Sequence, residues 1–168
     1  MRNEYGEHAD AFLNAANVST TEDLLSLYTS RDYFVFYHAH MAFARLMHEQ
    51  GRKVYSYFFQ HDIPGNDDAG SYHGSDLWFF FDSLNRSWRP FSGKHYDLAR
   101  QVSSYLVNFV ATGNPNGIDA IGEPLPQWDD YNAETRMEMQ FGDVPQQVSQ
   151  PPIDDVLNMR IEKLLRRL

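Results

Sequence analysis

Apolar residues recur every three or four positions over five stretches of the chain, and this spacing is typical of amphipathic helices. The first stretch places Tyr5, Phe12 and Ala16 on one stripe. The third stretch, which includes Phe34 and Met47, has apolar residues on two neighbouring stripes and predicts a helix buried on more than one side. We therefore expect helices over residues 5–16, 20–28, 30–50, 92–112 and 153–168.

The predicted helices have recognisable ends in the sequence. Thr20, with Asp23 three residues later, resembles a capping box. Ser30 and Ser92 stand where side-chain caps are expected at the starts of two later helices. Gly113 is a natural stop for the second of these, because glycine adopts the left-handed conformation that ends many helices.

Two short stretches have the patterns of β-strands. Residues 54–59, Val-Tyr-Ser-Tyr-Phe-Phe, are almost continuously apolar, which suits a strand covered on both faces in a parallel sheet. In residues 137–141, Met and Phe alternate with Glu and Gln, which predicts a half-exposed strand near a sheet edge. The pattern predicts an α/β fold, mostly helical, with two or three strands of a sheet that is incomplete because strand edges need partners.

The composition predicts a single folded domain over residues 1–168. Hydrophobic residues make up 42% and aromatic residues 15% of the chain, which argues against disorder and allows a sizeable core. The 23 acidic and 14 basic residues give a net charge of −9. That sign repels phosphate backbones, so we expect no nucleic-acid partner.

Nothing in the sequence predicts export or membrane insertion. The first eight residues lack the apolar core of a signal peptide, and no apolar run approaches the roughly 20 residues that span a bilayer. The absence of cysteine removes disulfides and thiolate metal sites without establishing a compartment. We expect a soluble protein with no membrane partner, and the compartment stays open with the cytoplasm slightly favoured.

Histidine and aspartate clusters suggest a metal site, but their spacing does not suit one. His38 and His40 are two residues apart on a predicted helix and point in different directions, and His48 lies two turns beyond His40. The loop at residues 61–69 has an acidic pair but lacks the alternating oxygen ligands of a calcium loop. We expect no metal and no cofactor, and a metal or small-molecule binder that uses the scattered histidines is the less favoured alternative.

The clearest chemical signal lies in residues 70–81. His73 stands between Gly70 and Gly74, just before the apolar run Leu-Trp-Phe-Phe-Phe. Glycines allow a constrained turn, and imidazole is the side chain best suited to move protons near neutral pH. His73 is therefore a candidate general base and acid, and the alternative is a loop histidine bonded to the backbone. The apolar run predicts a helical turn that fills the core or contributes to a ligand pocket.

The same stretch resembles a known family. Residues 72–77, Tyr-His-Gly-Ser-Asp-Leu, look like the histidine segment of the type-B carboxylesterases, which include the cholinesterases and bacterial para-nitrobenzyl esterases. Further landmarks follow the order of the family, namely residues 54–59, 107–116, 125–128 and 137–141. The likeness runs from about residue 5 to residue 142. It implies an α/β-hydrolase fold, an ester substrate, and His73 as the histidine of a Ser–His–acid triad.

The resemblance also identifies what this sequence lacks. No Gly-x-Ser-x-Gly nucleophile elbow occurs in the chain, and neither the acid of the family nor its glycine-rich oxyanion segment is recognisable. Ser71 and Ser75 are close to His73 in sequence, but nothing places either of them at an oxyanion hole. In this fold the nucleophile and acid precede the histidine, so the resemblance implies a C-terminal part whose missing N-terminal part supplies both.

The remaining expectations concern the surroundings of His73 and the partners of the chain. Gly74, Ser75 and Asp76 are expected to support His73, and Asp76 could instead cap the following helix. Alone, the chain is expected to hydrolyse esters poorly or not at all. The alternative function is a non-catalytic, cholinesterase-like binding or interaction module. We expect the missing N-terminal part as a partner, and self-association through an exposed sheet edge.

Overall fold

The chain divides into two compact units, Met1–Arg52 with Pro151–Leu168, and Lys53–Gln150. The structure is a computed structural model that describes residues 5–29, 35–150 and 155–165. The single domain that the sequence predicts over residues 1–168 stays a prediction. In chain order the helices and strands are α1 (Ala9–Ala15), α2 (Thr21–Thr29), α3 (Val35–Glu49), β1 (Tyr57–Phe59), α4 (Leu77–Phe80), α5 (Gly93–Thr112), β2 (Met137–Phe141), β3 (Pro145–Ser149) and α6 (Asp155–Leu165).

The described part of the first unit is an assembly of helices α1, α2, α3 and α6. Helix α6 packs against both α1 and α3. Phe12 of α1 and Ile161 of α6 are wholly buried. Nη1 of Arg45 donates a hydrogen bond to Oε1 of Glu162 at 3.0 Å, which ties α3 to α6. Phe12 on the predicted stripe of α1 and Ile161 on that of α6 are therefore buried, and such packing stabilises helices too short to form alone.

The start of α2 confirms the predicted capping box. The Thr20 backbone N–H donates to Oδ2 of Asp23 at 2.9 Å, and the Asp23 N–H donates to Oγ1 of Thr20 at 3.1 Å. Hydrogen bonds from the Ser19 and Thr20 backbones lower the pKa of Asp23. The predicted cap at Ser30, and the parts of the last predicted helix before residue 155 and after residue 165, lie outside the described residues.

Within the described residues of the second unit, one sheet has the strand order β1-β2-β3. Strand β1 runs parallel to β2, with Phe58 opposite Gln140. Strand β2 pairs antiparallel with β3, with Met139 opposite Gln147. The prediction that β2 is half-exposed near a sheet edge is wrong. It is the middle strand of the described sheet, paired on both edges. Met139 and Phe141 are buried in the core on one face, and Glu138 is buried on the other, where it accepts a hydrogen bond from Gln150.

Strand β1 is shorter than the sequence predicts, because loop contacts replace part of its ladder. Of residues 54–59, only Tyr57–Phe59 is strand. The Ser56 carbonyl accepts hydrogen bonds from the Met139 backbone N–H at 2.9 Å and from Nε1 of Trp128 at 3.1 Å. The Val54 carbonyl accepts one from the Tyr131 N–H at 2.7 Å. The predicted anchoring role of Trp128 and Tyr131 is confirmed by these bonds and by their burial.

The core of the second unit is largely aromatic. Its buried residues come from α4, α5, β2 and the intervening loops: Ile63, Phe79, Leu84, Leu98, Ala99, Val102, Tyr105, Trp128, Met139 and Phe141. The ring of Phe141 lies 5.6 Å from that of Trp128 and 5.8 Å from that of Tyr105, centroid to centroid. Because each large side chain of this kind contributes about 1.5–3 kcal/mol on full burial, the cluster fixes α5 against the sheet.

Helix α5 begins and ends where the sequence predicts. The Ser92 backbone N–H donates to Nδ1 of His95 at 2.8 Å, and Gly113 takes a φ of 75° at the other end. The predicted apolar face is correct at its centre but too wide. Phe109 is 43% and Val110 is 77% exposed, so the fully buried part of this face ends at Tyr105. No helix among the described residues, α5 included, is long and apolar enough to cross a membrane.

A buried histidine pair lies beside this core. The side chain of His61 is 1% exposed, and its ring packs 5.2 Å from that of His95, centroid to centroid. Nδ1 of His61 lies 3.2 Å from Oδ1 of Asp143 without the alignment of a hydrogen bond. Burial lowers the pKa of His61, the positive charge of His95 and that of Lys94 lower it further, and Asp143 opposes this. Burial also lowers the pKa of His95.

These lowered pKa values predict a loss of stability in mild acid. The unfolded chain has the higher histidine pKa, about 6.5, and so binds protons first as the pH falls. The free energy of unfolding should therefore decrease below about pH 6.5, by up to about 1.4 kcal/mol per pH unit for each histidine. His61→Gln removes one of the two titrating groups, so urea unfolding between about pH 7 and pH 5 should show a shallower decrease. The matched control is His8→Gln, whose side chain is 60% exposed in the native chain, and it should keep the native slope. An unchanged slope in His61→Gln would contradict this account.

Candidate functional site

His73 lies in a tight turn between β1 and α4. Gly70 and Gly74 have φ values of +58° and +84°, which place both in the left-handed region that glycine adopts without strain. The Ser75 N–H donates to the Tyr72 carbonyl at 3.0 Å, and this bond closes the turn around residue 73. His73 itself is exposed. The turn follows the carboxyl end of β1, the edge where open α/β sheets place their functional groups.

Two serine hydroxyls hold this turn in place. Ser75 is 1% exposed, and its Oγ donates to the Tyr72 carbonyl at 2.7 Å. Ser71 Oγ donates to the Phe59 carbonyl at 3.0 Å, which ties the loop to the end of β1. Each hydroxyl proton is therefore committed to a backbone acceptor. This arrangement suits structural support of the turn, since a nucleophilic serine has to give its proton to a base.

Asp76 fastens the other side of the turn to β1. Its Oδ2 accepts a hydrogen bond from the Tyr57 hydroxyl at 2.8 Å. Its side chain makes no capping hydrogen bond to α4, so the alternative prediction of a helix cap is wrong, because the carboxylate is turned toward the strand. Burial raises the pKa of Tyr57, and the hydrogen bond to Asp76 raises it further. Tyr57 therefore stays protonated as a donor over the whole neutral range.

The apolar run after His73 divides between core and surface. The predicted helical turn is confirmed as α4, which packs against α5. Phe79 is wholly buried, with its ring 5.0 Å from that of Phe59, centroid to centroid. Leu77 is 52% and Phe81 is 68% exposed. Core filling thus accounts for Phe79, and a contribution of Leu77 and Phe81 to a ligand pocket stays a prediction.

The histidines considered as metal ligands do not converge in the described residues. Among these residues, no group of three or more histidine, aspartate or glutamate side chains is placed to hold a metal ion. The side chain of His38 lies outside the part of the chain that the structure describes. Burial lowers the pKa of His40. The sequence does not predict that His61 and His95 are buried. His61 lies in a polar loop and His95 at the start of a helix, and neither context indicates burial.

Sequence reasoning also missed Tyr57 as a neighbour of the site. It lies in an aromatic run in which every residue suits a buried strand. Its partner Asp76 is 19 positions away, so no local spacing rule connects them. The alternation of side chains along a strand is the one sequence signal that could have indicated that Tyr57 and Phe59 share a face toward the turn.

The family model and the relatives that this chain matches point to the same family. The model of the carboxylesterase family matches residues 2–159. Carboxylesterase 4A of Bos taurus is 34% identical over 110 residues, which is 60% of this chain and 18% of that protein. Acetylcholinesterase of Gallus gallus is 32% identical over 94 residues, which is 54% of this chain and 12% of that protein.

Solved structures show the same fold. A PNB esterase superposes with a TM-score of 0.66 and 18% identity, over 95% of this chain and 31% of that one. An esterase of Clostridium hathewayi superposes with a TM-score of 0.60 and 23% identity, over 99% of this chain and 31% of that one. The chain thus spans about a third of these structures and less than a fifth of the two relatives above. The predicted α/β-hydrolase fold is confirmed.

The hydrogen bond between Tyr57 and Asp76 should be measurable as stability. Tyr57→Phe removes the donor and leaves the carboxylate without this bond. We expect the free energy of unfolding to fall by about 1.5–3 kcal/mol, as for other hydrogen bonds to charged groups. Tyr96→Phe, at a residue 42% exposed on α5, makes the same atomic change and should cost less than about 0.5 kcal/mol. Equal losses in the two variants, measured by urea unfolding, would show that the bond contributes nothing.

Proposed function

The chain belongs to the carboxylesterase family, and from this premise we propose that it is the histidine-bearing C-terminal segment of a serine carboxylesterase. The observation that carries the proposal is the position of His73. His73 is exposed, in a turn fixed by glycines and hydrogen bonds. A loop joins this turn to the carboxyl end of β1, a strand that pairs in parallel, and Ser71 ties the end of the loop to the Phe59 carbonyl. The family acts on esters, so we propose a carboxylic ester as the substrate.

In the proposed reaction His73 moves the proton. Nε2 of His73 takes the proton from a serine hydroxyl as that oxygen attacks the ester carbonyl, and then gives it to the leaving alcohol. Nδ1–H of the same ring is held by a carboxylate, which keeps the tautomer that leaves Nε2 free to accept. Backbone N–H groups stabilise the oxyanion. The exposed turn suits this role, because the imidazole has to face groups that come from elsewhere.

Gly74, Ser75 and Asp76 have supporting roles in this proposal. Gly74 provides the left-handed backbone of the turn, and Ser75 closes the turn from inside. Asp76 is bonded to Tyr57 of β1, so it restrains the turn from the side of the sheet. None of the three needs to touch the substrate. They fix the direction of the ring, and catalytic rates depend strongly on such orientation.

The nucleophile and the orienting acid are proposed to lie outside these 168 residues. The sequence has no Gly-x-Ser-x-Gly pentapeptide, and the chain spans about a third of the esterase structures that it resembles. Ser71 and Ser75 donate their protons to backbone carbonyls. We therefore propose that the segment alone is inactive and works with the remainder of a hydrolase as its partner.

A non-catalytic interaction module is the second candidate function. Large exposed aromatic side chains favour it, because Phe81 is 68% and Trp88 is 77% exposed, and such residues are enriched in protein interfaces. Self-association through the outer strands of the sheet is a separate possibility. The activity and association measurements proposed for this chain separate these possibilities.

Ester hydrolysis tests the catalytic proposal in two stages. The purified chain, assayed on p-nitrophenyl acetate near neutral pH, should match the blank without protein. A fusion in which this chain replaces the equivalent third of PNB esterase should hydrolyse the ester, and His73→Gln should lower its rate by on the order of a millionfold. His8→Gln is the matched control and should leave the rate unchanged. Circular dichroism confirms that each fusion is folded.

Either of two results would count against this proposal. Turnover by the chain alone that disappears in His73→Ala would reveal a nucleophile within these residues. A folded fusion whose rate survives His73→Gln would remove His73 from the reaction and favour the interaction module.

Self-association is tested by light scattering over a range of concentrations. β1 is an outer strand of the described sheet, and outer strands tend to pair with other chains. We expect the apparent mass to rise with concentration and to fall in Phe58→Lys, because a charge on an edge strand opposes strand pairing. Tyr96→Lys on α5 is the control and should associate as the native chain does. A constant monomer mass at all concentrations would be incompatible with this prediction.

A further inference from the structure

Arg89 is a buried cation that contacts the loop before His73 at three places. Its side chain is 6% exposed. Nη1 donates to the Pro64 carbonyl at 3.3 Å and to Oδ1 of Asp67 at 2.6 Å, and Nη2 donates to Oδ2 of Asp67 at 2.9 Å. The guanidinium carbon also lies 5.8 Å from the ring centre of Tyr72. Pro64 lies near the start of the loop, Asp67 in its middle and Tyr72 at its end. Tyr72 is the residue directly before His73.

The loop is shaped around this guanidinium. Gly65 packs directly against Arg89, because a Cβ atom at position 65 would overlap Nη1 of Arg89. The exposed indole of Trp88 covers the guanidinium from the other side, with 4.4 Å between the guanidinium carbon and the ring centre. The paired hydrogen bonds raise the pKa of Arg89 and lower the pKa of Asp67, so both groups stay charged at neutral pH. A forked donor that meets both oxygens of a carboxylate fixes direction as well as distance.

Few other polar contacts restrain this loop. Residues 61–72 contain no helix or strand. One backbone hydrogen bond crosses the loop, from the Ile63 N–H to the Gly70 carbonyl at 3.3 Å, and Ser71 ties its end to β1. Fixing the backbone costs roughly 1–2 kcal/mol per residue in conformational entropy, so a loop with so few bonds depends on the ones it has.

We propose that Arg89 is a positioning residue for His73, acting through Asp67, Pro64 and Tyr72. The inference rests on the proposed function of His73. Ser71, Ser75 and Asp76 keep their bonds without the fork. The loop before residue 70 is then held by one backbone bond, and the turn that carries the imidazole samples more orientations. Lysine does not replace arginine here, because an ammonium group lacks the planar pair of donors that Asp67 accepts. Misplacement of a catalytic group by about 1 Å can cost about 100-fold in rate.

Nuclear magnetic resonance of the 168-residue chain tests the positioning directly. The native chain should show one sharp His73 Cε1–Hε1 signal, which His73→Gln identifies by removing it. Arg89→Lys and Arg89→Gln should broaden or split this signal. Amide exchange at Ile63 and Tyr72, whose N–H groups donate to the Gly70 carbonyl and to Ser75 Oγ, should rise by about tenfold or more. Arg100→Gln breaks a comparable forked contact, with Asp97 and Asp119, and should leave the His73 signal unchanged. An unchanged His73 signal in a folded Arg89→Gln chain would overturn the inference.

A second variant covers the case in which Arg89→Gln fails to fold. Asp67→Asn removes the carboxylate from a side chain that is 51% exposed and leaves Arg89 in place. It should perturb the His73 signal in the same way as Arg89→Lys. The double variant Asp67→Asn with Arg89→Lys should add little to either single change, because both remove one interaction. Additive effects, or an unperturbed signal in Asp67→Asn, would contradict the proposed contact.

The rate measurement separates this inference from the proposed function. In the esterase fusion, Arg89→Lys should lower kcat by about 10–100-fold with a smaller change in KM. If His73→Gln leaves the fusion active while Arg89→Lys still broadens the His73 signal, the proposed function fails and the loop contact stands. If His73→Gln abolishes activity while Arg89→Lys changes neither signal nor kcat, the proposed function stands and Arg89 has no positioning role.

Discussion

The parallel pairing of β1 with β2 is the interaction on which the rest of the second unit depends. Strand β1 is three residues long, and a strand of this length has little stability without a partner. The last residue of β1 binds Ser71 through the Phe59 carbonyl, and the first residue binds Asp76 through the Tyr57 hydroxyl. The turn that carries His73 is thus fastened to β1 on both sides. Its position in space is therefore set by the ladder with β2.

The polar groups around His73 are used to build the turn. The hydroxyls of Ser71 and Ser75 donate to backbone carbonyls, and the carboxylate of Asp76 accepts from Tyr57. The Ser75 bond closes the turn itself, and the other two bonds join the turn to β1. These side chains already have hydrogen-bond partners, so they do not have to reorient when a substrate binds. This is the general advantage of a preorganised site.

Local features of this fold could be predicted from the sequence, and features set by distant partners could not. The Thr20–Asp23 box depends on residues three apart, and it is confirmed. The central position of β2 depends on β3, whose sequence Pro-Gln-Gln-Val-Ser begins with a proline and lacks the alternating apolar pattern of a strand. The contact of Arg89 with Asp67 joins residues 22 positions apart, and no spacing rule connects them. The position of His73 in a glycine-bounded turn was predictable because it is local, whereas its role stays a prediction.

The exposed indole that lies over Arg89 gives this chain a natural optical reporter. The sequence has three tryptophans, and Trp88 is 77% exposed whereas Trp128 is 4% exposed. A dissolved quencher such as iodide reaches an exposed ring far more readily than a buried one. The third tryptophan, Trp78, is partly buried, so quenchable emission from the native chain comes mainly from Trp88. Since that ring rests on the guanidinium that binds Asp67, its fluorescence reports the state of this loop without any attached dye.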